Sequence, residues 1–231
     1  MSIHEGHRQR MRDRFVQEKT LDSFSDIQAL ELLLFYAIPR RDTNPLAHSL
    51  LDHFGSLPLV LDAPVEELEN VPGMTHNAAV LLKLVTEMGR MYGVKRQEPN
   101  QELRTIKACG EYLVPRFFGR VHENVFLLCL DAQCRVISCL KVGEGSVNSA
   151  NVPIRRVVEM ALNAKATSVV LAHNHPSGNA VPSPEDIATT YRLAEALRLV
   201  DIILVDHIVV ANDDFVSMVH SGHRFDGSGP R

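Results

Sequence analysis

The sequence has no run of about 18 apolar residues, the length a membrane-spanning helix requires, so no membrane segment is expected. Its start, Met1-Ser2-Ile3-His4-Glu5-Gly6-His7-Arg8, lacks the apolar core of a secretory signal, and a cytoplasmic location follows as the expectation. Paired cysteines are also missing. Cys109, Cys129, Cys134 and Cys139 form no CxxC spacing, and in a cytosolic chain they read as buried thiols rather than a disulfide framework. Nor is there an excess of positive charge: 24 Lys and Arg against 28 Asp and Glu leave a net charge of -4. No global field then draws nucleic acid, and any DNA binding needs a local basic patch. Arg8, Arg10, Arg12 and Arg14 offer one, although their spacing equally suits the solvated face of a first helix.

What is present is ordinary for a folded protein: 45% hydrophobic and 23% charged residues over 231 positions, enough for two small domains with separate cores. Residues 24–93 read as helical, with Ile27, Leu30, Leu33 and Leu34 recurring at helical spacing. Pro39, Asn44-Pro45, Gly55, Pro58, Pro64 and Pro72-Gly73 cut the stretch into short helices. A small all-helical module over residues 1–94 is therefore expected, followed by a linker at 95–101 within the polar string VKRQEPNQ.

The second domain, residues 102–231, has a different pattern. Asn124–Leu130 and Arg135–Val142 are strand-like runs joined as a hairpin through Asp131-Ala132-Gln133-Cys134. A helix starts near Pro153 and carries Ile154, Val157, Val158, Ala161 and Leu162 on one stripe. Ser168–His175 is an apolar strand, Pro184–Arg198 a helix, and Ile202–Val210 with Phe215–Val219 a terminal hairpin. Strands, helix, strand, helix, strands in that order predict an α/β (α+β) domain of two or three layers around a mixed sheet. There is no internal repeat, and the one low-complexity stretch is the Gly-Ser-Gly-Pro tail.

His173 and His175 stand two apart at a strand end, where alternation puts both imidazoles on one face. Alone, such a pair is more often solvated or hydrogen-bonded than metal-binding. Ser183-Pro184-Glu185-Asp186 likewise has an ordinary reading as a helix start, with serine at the N-cap and an acid at the third helical position. Together they supply two histidines and one carboxylate with a position left for water, the arrangement of catalytic rather than structural zinc. The same donor set also suits iron.

His173-Asn174-His175, then Ser183 and Asp186, resembles the HxHx7SxxD core of the JAMM (MPN+) metalloproteases. The string LAHNHPSGNAVPSPED, the later VDHIVV and the N-terminal helical module resemble the RadC family, of the UPF0758 type. This resemblance implies an MPN/JAMM-type domain with a cytidine-deaminase-like mixed sheet flanked by helices. It implies one Zn2+ per chain on His173, His175 and Asp186, with Ser183 bonding the water or the oxyanion. It also calls for a glutamate just before a core strand as general base; Glu123 fits best, and Glu144 and Glu159 stay open. The activity implied is hydrolysis of a peptide or isopeptide bond in a peptide or protein substrate, by a zinc-activated water with the glutamate moving its proton. Asp206 and His207 could orient a ligand from behind, although a satisfied core or edge histidine is the preferred reading.

In the helical module, Val71-Pro72-Gly73-Met74 followed by Ala78-Ala79 looks like half of a helix-hairpin-helix, whose turn offers backbone N–H groups to phosphate. Thr75 stands where that motif has its second glycine, and His76, Asn77 and Lys83 make a thin positive surface. A DNA-associated repair or recombination accessory is the alternative function, with a structural or protein-binding role for the module equally open. A zinc nucleobase deaminase is excluded, because the required HxE and PCxxC are absent.

Overall fold

The computed structural model describes residues 3–98, 100–145 and 152–225, with side chains from residue 6 onward. The Gly-Ser-Gly-Pro tail and residues 146–151 lie outside the described residues. The chain divides into two compact units, Met1–Met88 and Gly89–Arg231. That division falls inside a helix, His76–Lys95, ahead of the 95–101 segment.

The first unit contains α1 (Ile3–Glu18), α2 (Asp26–Ala37), α3 (Asn44–Phe54), α4 (Leu57–Asp62), α5 (Val65–Glu69) and most of α6 (His76–Lys95). Local chemistry sets these boundaries. Ser25 and Gln28 close a capping box at the start of α2, Pro45 occupies the first turn of α3, and Gly55 ends α3 at φ 90°. Leu30, Leu34, Leu46, Leu50, Val60, Leu68 and Leu82 meet in the core of this unit.

The second unit adds α7 (Ile106–Leu113), β1 (Asn124–Leu130), β2 (Val136–Glu144), α8 (Ile154–Asn163), β3 (Ser168–Asn174), α9 (Pro184–Arg198), β4 (Ile203–Ala211) and β5 (Asp214–Ser217). The strands form one mixed sheet in the order β2-β1-β3-β4-β5. Only β3 and β4 run parallel, because α9 crosses over between them; the other neighbours are antiparallel.

Every residue of β1 and β3 is buried, as expected of central strands covered on both faces. Alternation divides them between two cores. Val125, Leu127, Cys129, Val169 and Leu171 pack with Val157 and Ala161 of α8 and Leu193 and Leu197 of α9. Phe126, Leu128, Val170 and Ala172 pack instead with Cys109, Tyr112 and Leu113 of α7. The domain thus has three layers, and each fully buried leucine of β1 and β3 contributes about 2 kcal/mol to holding them together. At Gly110 of α7 the approach to β5 is so close that a Cβ would overlap the Phe215 ring.

All four cysteines are free thiols, and burial pushes those of Cys109 and Cys139 up to about 11. No helix among the described residues is long and apolar enough to cross a membrane.

Candidate metal centre

His173 belongs to the β3 series whose earlier members Val169 and Leu171 face α8 and α9, so its ring projects towards the α9 layer. His175 follows one residue beyond the strand. Asp186 sits in the first turn of α9, where Ser183 is the N-cap. The antiparallel pairing of Val125 with His173 brings Glu123, just ahead of β1, to this end of β3. Four side chains from three elements therefore converge: the ligand atoms of Glu123, His173, His175 and Asp186 all lie within 4.8 Å of one another.

The Nε2 atoms of His173 and His175 are 2.9 Å apart, and they lie 3.3 and 3.5 Å from Asp186 Oδ1 and Oδ2 respectively. Glu123 Oε1 stands 4.0 Å from His173 Nε2. The centre is closed on one side and open on the other, since the side chains of His173 and Asp186 are 2% and 1% exposed against 19% for His175 and 16% for Glu123. A cavity of about 10 Å³ lined by Glu123, Val125, Val152, His173, Asp186, Thr189 and His207 has room for one water- or ion-sized group.

Each ligand is held from behind. His175 Nδ1 is 2.7 Å from the carbonyl oxygen of Asn179, which can only accept, so Nδ1 carries a proton and Nε2 is the nitrogen turned to the cluster. Ser183 gives both its backbone N–H and its hydroxyl to Asp186 Oδ2, each at 2.7 Å, while its oxygen accepts from the Asp186 N–H at 3.1 Å. The capping box thus anchors one carboxylate oxygen and aims the other into the site. Asp186 Oδ1 is buried and accepts no hydrogen bond from the described residues.

A buried anionic oxygen left without a donor, facing imidazole nitrogens, is costly unless a cation completes it. The residues therefore fit a divalent metal ion. Burial works against the charge of Asp186, yet His173 and Ser183 beside it hold its carboxyl well below the usual carboxylate range. For Glu123 burial dominates and pushes the carboxyl up, against the opposing pull of His173.

One of these supports was not read from the sequence, and another was weighed there but not preferred. Asn174 points to the opposite face from the histidines, where its Oδ1 accepts from the Asn124 N–H at 2.7 Å. Its Nδ2 donates to the carbonyls of His122 at 3.1 Å and Arg120 at 3.3 Å. It thereby straps the segment that carries Glu123 to β3. The second support is His207, whose Nε2 lies 2.8 Å from His173 Nδ1 and whose Nδ1 lies 2.5 Å from Thr190 Oγ1. His207 is buried and satisfied, and its partner is His173, so the ligand-orienting placement that the sequence ranked second is met as well. Asp206 does not reach the cluster; it accepts from the backbone N–H groups of His207 and Val219 and from the Ser217 hydroxyl.

The rival glutamates lie elsewhere: Glu144 pairs with Lys141 at the end of β2, and Glu159 pairs with Arg155 at 2.8 Å on α8. In the helical unit several of the basic groups are already engaged. Lys83 donates to the carbonyls of Leu61 and Asp62 at 2.8 and 2.9 Å, and His76 Nδ1 is 2.6 Å from Glu69. Arg8 reaches the Ile38 carbonyl at 2.8 Å, and Arg14 bonds Glu18 at 3.0 Å and the Ser23 carbonyl at 2.7 Å.

A three-layer domain with a mixed sheet and a convergent His, His, Asp and Glu cluster at one strand end defines a metal-dependent hydrolase-like domain. Residues 103–223 match the RadC-like JAB domain. A UPF0758 protein of Fusobacterium nucleatum is 32% identical over 226 residues, spanning 94% of this chain and 97% of its own. Others from Paraburkholderia xenovorans and Shewanella baltica are 34% and 35% identical over 91% of this chain, spanning 83% and 93% of theirs. The chain belongs to the RadC-like JAB family of UPF0758 proteins.

Proposed function

We propose that this protein is a zinc metallopeptidase that hydrolyses a peptide or isopeptide bond, with His173, His175 and Asp186 holding one Zn2+ and Glu123 as general base. The observation that carries the reading is Asp186 Oδ1, buried without a donor and facing the imidazole nitrogens of the cluster. A zinc ion in that position supplies Lewis acidity, lowering the pKa of water towards neutrality and polarising a carbonyl.

The chain's own residues supply the rest. Partial burial raises the affinity of Glu123 for a proton, so its carboxylate can take the proton of the attacking water and hold it. The same oxygen can then deliver that proton to the departing amine, returning the side chain to its starting state. Ser183 lies at the N-terminus of α9, where its hydroxyl can turn from Asp186 Oδ2 to a developing oxyanion while its backbone N–H keeps the carboxylate in place. The closed side of the centre excludes bulk water, and a substrate enters past Glu123 and His175.

The test uses zinc-loaded protein and a peptide library prepared from digested cell protein, with new termini read by mass spectrometry. Wild type should cleave, whereas Glu123→Gln should keep its zinc and lose rate by about 10²–10⁴-fold. Undiminished cleavage by Glu123→Gln would remove Glu123 from the mechanism, and no cleavage by fully loaded wild type would remove the peptidase reading.

A further inference from the structure

We infer that Thr190 and His207 form a neutral hydrogen-bond relay that decides which nitrogen of His173 is presented to the metal. This rests on the metal-centre reading above and extends it to residues that touch no metal and no substrate. Thr190 Oγ1 lies 2.6 Å from the backbone carbonyl oxygen of Asp186, an atom that can only accept, so the hydroxyl proton is committed there. Of the other acceptors, Met218 Sδ at 3.8 Å is weak, and donation to His207 Nδ1 would leave two oxygens 2.6 Å apart with no proton between them.

Thr190 then has only a lone pair to offer His207 Nδ1 at 2.5 Å, and that nitrogen must carry a proton. His207 is buried, and its ring nitrogens meet the Thr190 hydroxyl and the His173 imidazole with no carboxylate among the described residues bonded to balance a charge, so the ring is neutral. Its Nε2 is therefore bare, and His173 Nδ1, 2.8 Å away, must donate to it. The remaining nitrogen of His173, Nε2, is left as a lone pair directed at Asp186 and His175. A single backbone carbonyl thus sets every donor and acceptor in sequence, from Asp186 on α9 through Thr190 and His207 to the ring of His173 on β3.

The partner behind a ligating histidine is usually a carboxylate, a carbonyl or water, each of which fixes the ring. A neutral imidazole does so with less electron donation than a carboxylate, which keeps His173 a less basic ligand. Thr190→Val keeps the shape and removes the lone pair. His207 Nδ1–H then has no acceptor, so the ring favours the tautomer with its proton on Nε2, facing His173 Nδ1. The proton of His173 moves to Nε2, where it competes with the metal.

Zinc affinity is read by competition with a fluorescent chelator, and imidazole tautomers by nitrogen-15 NMR on zinc-free wild type. The expected results are His207 protonated at Nδ1 alone, a loss of about 10–100-fold in zinc affinity in Thr190→Val, and affinity within a few-fold of wild type in Thr190→Ser. His207 protonated at Nε2, or at both nitrogens, overturns the relay whether or not Thr190→Val folds. So does a folded Thr190→Val that binds zinc as tightly as wild type. Wild type that binds no zinc at all overturns the metal reading instead, and the NMR result still decides the relay.

Discussion

Asn174→Ala separates the positioning of Glu123 from the holding of metal. Asn174 is 5% exposed and ties three backbone groups at and just before the start of β1 to β3. Alanine leaves the buried Asn124 N–H without its acceptor, a cost of about 1–3 kcal/mol. The two carbonyls lose less, because the His122 carbonyl keeps a hydrogen bond from Asn124 Nδ2 at 2.8 Å and that of Arg120 can turn to water. A net loss of about 2 kcal/mol follows, which raises the population of opened states up to about thirtyfold. Urea denaturation reads the stability, and hydrogen exchange at the Asn124 amide reads the local opening. His173, His175 and Asp186 are untouched, so zinc content should stay at the wild-type level while cleavage by the displaced Glu123 falls about a hundredfold. Stability within about 0.5 kcal/mol of wild type, together with unchanged exchange at Asn124, would refute the strap.

Two other predictions concern the scaffold. Gly110→Ala should destabilise the domain by about 1–3 kcal/mol, since the overlap with Phe215 outweighs the gain of about 1 kcal/mol in helix propensity; an unchanged thermal midpoint would contradict the close packing of α7 on β5. With their thiols pushed to about 11, Cys109 and Cys139 carry about one thiolate in a thousand at pH 8, and the fraction rises only as pH climbs towards that value. Native protein at pH 8 should therefore label at these positions hundreds of times more slowly than unfolded protein, and equal rates would show the burial to be wrong.

Much of the fold was legible because local chemistry and tertiary structure agree. Ser183-Pro184-Glu185-Asp186 reads as a helix start and is one, with α9 running over the predicted Pro184–Arg198. The apolar runs at 124–130 and 168–175 read as strands, and they are continuously apolar because both faces of β1 and β3 are covered. Strand ends were less legible: β2 continues to Glu144 and β5 begins at Asp214, since pairing with a neighbour decides where a ladder stops.

The supports of the site were hidden for a different reason. Alternation alone puts Asn174 on the face opposite His173 and His175, and an amide side chain buried there must find partners, a signal that was present but unused. His207 was legible as a buried, satisfied histidine; its pairing with His173 depends on the register of β3 against β4, which matches Leu171 with His207 and which no single sequence reveals. Lys83 counted towards a thin positive surface in the chain, but folding spends it on the carbonyls at the end of α4.

Metal content of the purified protein tests the central claim most directly, measured on wild type beside His173→Ala and Asp186→Ala after zinc is supplied and excess removed. The account predicts about one zinc per chain in wild type and loss of it in both variants, with the circular dichroism of the fold retained. Wild type without metal, or variants that hold it as firmly as wild type, would contradict it.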